Sequence, residues 1–130
     1  MSNANVVFDH VHLVGEDPEA AANWYADKLG GEIAGVGEVL GSISARVVFE
    51  GAIVIIRGQR KGETPKSKDG VEWGNDHFGF SIKGDFDQFC NELKEKGVKF
   101  TMEPVDISPA IRIAFIEAPD NVSIELLQRK

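Results

Sequence analysis

The sequence predicts an α+β fold built twice over, each half reading strand, helix, strand, strand, strand. Three observations carry that prediction. The segments FDHVHLVGEDPEAAANWYADKLGGEI and NDHFGFSIKGDFDQFCNELKEKGVKF follow one plan: an Asp-His pair in an apolar run, an acidic helix start, a helical pattern, then glycine. Their spacing agrees, since His10 and His77 stand 67 residues apart and so do Gly30 and Gly97. After each helical pattern come three short runs rich in Val, Ile and Phe, separated by turn residues.

Each element has a local reason. Val6, Val7, Phe8, Val11, Leu13 and Val14 make the opening run a strand. Asp17 is placed to cap a helix whose first residue is Pro18, and Gly30-Gly31 closes it. Ala21, Trp24, Tyr25 and Lys28/Leu29 give that helix its periodic face. In the second half Asp85 and Gln88 have capping-box spacing, and Gly97 ends the helix. Phe86, Phe89, Cys90 and Leu93 form a buried stripe at i, i+3, i+4 and i+7, so Cys90 reads as a core thiol. GGEIAGV, SISARVVFE and GAIVIIRG supply three strands of the first half; GVKFTM, IRIAFIEA and NVSIELLQ supply those of the second.

The expected organisation is one domain over 1–130, with module one at about 5–60 and module two at about 74–130. The polar, Gly/Lys-rich stretch at about 58–75 connects them, as a linker or a mobile loop over a site. A net charge of −7 argues against nucleic acid, whose phosphates repel an acidic surface. No apolar run approaches the roughly 20 residues needed to span a bilayer, so no membrane is expected. MSNANVV has no basic region and no long apolar core, so no signal peptide is read there. A single cysteine fits a reducing compartment, and the expected location is cytoplasmic.

The repeat exposes the chemically unusual residues. Aligning GAIVIIR over NVSIELL sets Ile55 opposite Glu125, a carboxylate in a strand whose twin is apolar. A carboxylate in a half-buried strand is costly unless paired or metal-bound. His10, His77 and Glu125 are expected on three strands, and two imidazoles with one carboxylate suit a divalent metal with open positions. Asp9 and Asp76 are expected to face the other side and cap the strand ends. His12 shares a face with His10 and has Gly79 as its twin. It could be an extra ligand, a general acid/base or a hydrogen-bond donor to substrate, of which the acid/base or substrate role is preferred, with packing against Trp24 or Tyr25 as the structural alternative.

This pattern resembles the vicinal oxygen chelate superfamily, which holds glyoxalase I, bleomycin-resistance proteins, fosfomycin-resistance thiol transferases, methylmalonyl-CoA epimerase and extradiol dioxygenases. DHVHLVGEDPEAAANWYADKLGGE looks like the family's opening module, DHFGFSI like its second, and IAFIEAPDNVSIELLQ like its closing hairpin. The resemblance implies paired βαβββ modules forming a curved, cup-like mixed sheet with the helices outside. It implies one divalent metal (Fe, Mn, Ni, Zn or Co) on His10, His77 and Glu125, with the family's fourth ligand position occupied by Ile55. It further implies a homodimer with shared sites and a small oxygenated substrate chelated through neighbouring oxygens.

The chemistry implied is that of a metal-dependent glyoxalase-like lyase or isomerase stabilising an enolate or oxyanion. His12 and Glu125 are the candidate catalytic groups, and Arg46, Arg57 and Arg112 the candidate anion anchors. The alternatives are an iron-dependent dioxygenase or thiol transferase of the same superfamily, or a bleomycin-resistance-like binder without catalysis.

Overall fold

The computed structural model describes residues 4–130, so the first three residues of the segment read for a leader lie outside it. Two compact units divide between Pro65 and Lys66. The first holds β1 (Val11–Val14), α1 (Pro18–Leu29), β2 (Glu32–Val39), β3 (Ser42–Phe49) and β4 (Ala52–Arg57). The second holds β5 (Phe78–Ser81), α2 (Phe86–Glu95), β6 (Phe100–Ser108), β7 (Ile111–Ala118), a 3-10 turn at Pro119–Asn121, and β8 (Val122–Arg129). Each is the expected strand-helix-strand-strand-strand module.

The two sheets share one topology, β1-β4-β3-β2 and β5-β8-β7-β6. The first strand of each pairs in parallel with the last, and the other pairings are antiparallel. A parallel neighbour demands a crossover, and the helix supplies it. In the first unit Ala45, Val47, Val54 and Ile56 are buried, together with Ala21, Ala22 and Tyr25 of α1. Side chains alternate along a strand, so Ser44, Arg46, Ile55 and Arg57 take the face away from α1. Gly31 permits the close return from α1, because a Cβ there would fall 2.5 Å from a Val47 methyl carbon. In the second unit Phe86, Cys90 and Leu93 of α2 are buried with Ala114, Ile116, Ile124 and Leu126. Burial pushes the Cys90 thiol up to about 11, as expected of a core cysteine.

The helix ends follow the sequence signals. Asp17 accepts a hydrogen bond from the Ala20 amide at 3.1 Å, and Gly30 closes α1 with φ of 77°. Asp85 accepts from the Gln88 amide at 3.0 Å. Only half of the capping box forms, because the Gln88 side chain turns forward to Glu92 at 3.2 Å. Gly97, with φ of 81°, lets the Val98 amide return to the Leu93 carbonyl at 3.0 Å.

One boundary differs from expectation. β1 begins at Val11, and Val6, Val7 and Phe8 are exposed. The parallel register Val11↔Val54 explains this: β4 starts at Ala52, just after the turn at Gly51, so residues before Asp9 have no partner strand. His10 and His77 consequently sit one residue before their strands, not within them.

Chain leaving β4 is folded around Glu63. Its Oε1 and Oε2 accept from the two terminal nitrogens of Arg57 at 2.7 and 2.9 Å, and Oε1 also accepts from the Arg60 amide at 2.7 Å. The Arg57 guanidinium, then the Arg60 amide, hold the Glu63 carboxyl down to about 2 from an ordinary 4.5. A carboxyl lowered in the folded state stabilises above its unfolded value, and that stabilisation is lost as pH falls through the folded one. Amide chemical shifts of 58–63 should therefore hold steady down to about pH 4.5 and change progressively towards about 2. Glu63→Gln should abolish that titration; an unchanged profile would remove Glu63 as the organiser of the segment.

Candidate metal centre

Two of the candidate ligands meet in the second unit. Glu125 lies on β8 between Gly79 of β5 and Phe115 of β7. All three share the face away from α2, because their neighbours Ile124, Leu126, Ala114 and Ile116 fill the core. His77 precedes β5 by one residue, and its Nε2 stands 3.2 Å from Glu125 Oε1. The Phe115 ring meets the imidazole edge-on, with centroids 4.9 Å apart. Both side chains are partly shielded, at 32% exposure for His77 and 21% for Glu125.

The other ring nitrogen is engaged as well. His77 Nδ1 lies 2.8 Å from Asp76 Oδ2. The hydrogen bond with His77 holds the Asp76 carboxyl below the usual carboxylate range. An ionised Asp76 only accepts, so Nδ1 carries the proton. In the neutral ring Nε2 then presents a lone pair towards the Glu125 carboxylate. Two acceptors at 3.2 Å are stabilised only by positive charge between or upon them, from a proton or a metal ion. Two donors each about 2.1 Å from an ion, at about 100°, stand about 3.2 Å apart. The donor set therefore fits two neighbouring ligands of a divalent metal, with the Asp76 carboxylate fixing the ring as supporting carboxylates do for zinc-bound histidines.

The first unit repeats half of this arrangement. His10 Nδ1 lies 2.7 Å from Asp9 Oδ2. Asp9 and Asp76 thus do not cap strand ends on the opposite side, as the alternation implied. Each precedes its strand, where the chain is free to turn its carboxylate onto the next imidazole. The rings of His10 and His12 are 5.8 Å apart, edge to face. His12 pairs in register with Ile55 on the face away from α1, while Tyr25 is buried beneath the other face. His12 is therefore not packed on Tyr25, and the residue as a whole is exposed. Partial desolvation first, then the nearby charges of His10, Arg57 and Arg60, lower its affinity for a proton.

The cross-strand rows make the internal comparison concrete. His12↔Ile55↔Arg46 in the first unit matches Gly79↔Glu125↔Phe115 in the second. Ile55 and Glu125 are indeed equivalent. Within neither unit, among the described residues, do three His, Cys, Asp or Glu side chains gather closely enough to hold an ion. The structure also separates the three arginine candidates. Arg57 is clamped by Glu63, and Arg112 donates to Asp87 at 3.0 Å and Asp106 at 3.3 Å. Arg46 is exposed beside Ile55.

Residues passed over in the sequence are the two aspartates as histidine partners, Phe115 against His77, and Gly79 as a spacer. The repeated Asp-His pair was the available signal for the first; nothing local marks Phe115. A Cβ at Gly79 would meet the Glu125 carbonyl oxygen at 3.1 Å, its Cβ at 3.2 Å and Oε1 at 3.7 Å. Gly79→Ala should push Glu125 away from His77, destabilise the second unit by about 1–3 kcal/mol in denaturant unfolding, and weaken any metal bound there. Wild-type stability together with wild-type metal affinity would contradict the tight fit.

Comparison with known proteins agrees with this architecture. The sequence matches the family model described as Glyoxalase/Bleomycin resistance protein/Dioxygenase superfamily over residues 7–126. No protein of curated function matches it significantly. A glyoxylase/bleomycin resistance protein/dioxygenase domain from Frankia sp. EAN1pec superposes with a TM-score of 0.80 at 24% identity, covering 98% of this chain and 100% of that one. A glyoxalase family protein from Bacillus cereus gives 0.81 at 18% identity, covering 99% and 98%. One from Enterococcus faecalis gives 0.72 at 21%, covering 93% and 96%. At such identities the structures speak for the fold alone. No helix among the described residues is long and apolar enough to cross a membrane. With the duplicated module, the paired Asp-His elements and a model match over nearly its whole length, the chain belongs to the glyoxalase/bleomycin resistance/dioxygenase superfamily.

Proposed function

We propose that the protein is a metal-dependent, glyoxalase-like lyase or isomerase acting on a small molecule that offers two neighbouring oxygens. The observation that supports this most is the His77–Glu125 pair, with Asp76 on the far nitrogen of the imidazole. A binder without metal has no need of that arrangement. His10 is the proposed third ligand: it has the same residue type, the same place before a first strand, and the same aspartate on Nδ1. These residues would hold a divalent ion, which when bound would supply Lewis-acid polarisation of the substrate oxygens. Asp9 and Asp76 orient the imidazoles, and His12 accepts or returns the substrate proton. The proposed assembly is a homodimer with shared sites, located in the cytoplasm.

The test is metal binding by untagged, metal-stripped protein, titrated separately with Mn, Fe(II), Ni, Co and Zn in a calorimeter. One equivalent per chain is expected. Glu125→Gln and His10→Ala should abolish it, and Asp76→Asn should weaken it by about 10–100-fold. Preference for iron with oxygen uptake would move the assignment to a dioxygenase. Absence of binding with every metal would overturn the metal-dependent reading in favour of a ligand-sequestering protein.

A further inference from the structure

Ser42 Oγ and Arg60 Nε, both in the first unit, are buried without a hydrogen-bond partner. Both belong to the corner where the chain leaves β4. The Gly58 amide donates to the Ile43 carbonyl at 2.9 Å, tying that chain to the start of β3. Ser42 precedes Ile43, and Arg60 lies two residues past Gly58. Strand alternation sets Ser42 on the same face as Ser44 and Arg46, the face that also carries His12.

Glu63 does not relieve Arg60 Nε. Its Oε1 is taken by Arg57 and by the Arg60 backbone amide, and its Oε2 by Arg57. An arginine Nε–H only donates, and the guanidinium keeps its charge at every physiological pH. A serine hydroxyl rotates to donate where an acceptor is offered. A buried donor left unmet is costly, and two of them at one corner call for an acceptor-rich group. With one donor permanently cationic, the matching group is an anion with several oxygens.

We propose that Arg60 and Ser42 form an oxyanion-binding corner that takes the carboxylate or phosphate of a small substrate. Arg60 Nε–H and Ser42 Oγ–H both donate to its oxygens. Anion binding here stands by itself; that the anion is part of the substrate rests on the metal-dependent reading above. It narrows that substrate to an acidic molecule.

The experiment is an NMR titration of the full-length, metal-stripped protein, following the Arg60 Nε–H and Ser42 amide resonances. Inorganic phosphate and acetate are added in separate arms at constant ionic strength, with chloride as reference. Saturable shifts at both resonances are expected in at least one oxyanion arm, and the tighter arm identifies the group. Arg60→Gln should weaken that binding at least about 10-fold, Arg60→Lys less, and Ser42→Ala several-fold. Shifts no different from chloride, or wild-type affinity in folded Arg60→Gln, would overturn the proposal. If Arg60→Gln fails to fold, the wild-type Arg60 resonance and Ser42→Ala decide it. Zinc titration of the same wild-type sample separates the two readings. Zinc bound without either oxyanion overturns the anion corner alone; an oxyanion bound at Arg60 without any metal overturns the metal centre and leaves the corner standing.

Discussion

The arrangement turns on two groups that do not attract one another unaided. Asp76 accepts from His77 Nδ1, so in a neutral ring Nε2 turns its lone pair to the Glu125 carboxylate 3.2 Å away. Only positive charge makes that encounter favourable. The surrounding structure maintains it: Phe115 backs the ring, Gly79 leaves room for the carboxylate, and β8 holds Glu125 in register with both neighbours. A sheet with one face in the core and the other carrying polar side chains is the simplest scaffold for such a pair, because alternation alone sorts core from site.

The duplication shows which parts of the module are architecture and which are chemistry. Both units place an Asp-His pair one residue before a parallel edge strand, and both cover the opposite face with a capped helix. They differ where the rows cross the last strand: Ile55 lies between His12 and Arg46, and Glu125 between Gly79 and Phe115. The first unit carries surplus nitrogen donors and cations on that face; the second carries the carboxylate.

Much of this was legible because it is local. Asp17, Pro18 and Gly30 announce α1 by capping chemistry that needs no tertiary partner, and the spacing of Phe86, Cys90 and Leu93 fixes the core face of α2. Glu125 could be singled out because an internal twin existed for comparison. What was not legible depends on partners distant in sequence. Val6 to Phe8 have strand-like composition, yet β4 begins too late to pair with them. Strand alternation turns the Asp9 and Asp76 carboxylates away from the imidazoles, but both residues precede their strands, where alternation does not hold, and each carboxylate meets the next ring. Arg57 gave no sign that Glu63, six residues on, would claim it, nor that Arg60 Nε would be left without an acceptor.

The central claim is that His77 and His10 present Nε2 to a metal while Asp76 and Asp9 hold Nδ1. Nitrogen-detected NMR of the three histidines during a zinc titration tests it most directly. The account predicts that Nε2 of His77 and of His10 moves to metal-bound values, with both Nδ1 protons retained and His12 left uncoordinated. Coordination through His12, binding through Nδ1, or three imidazoles indifferent to zinc would contradict it.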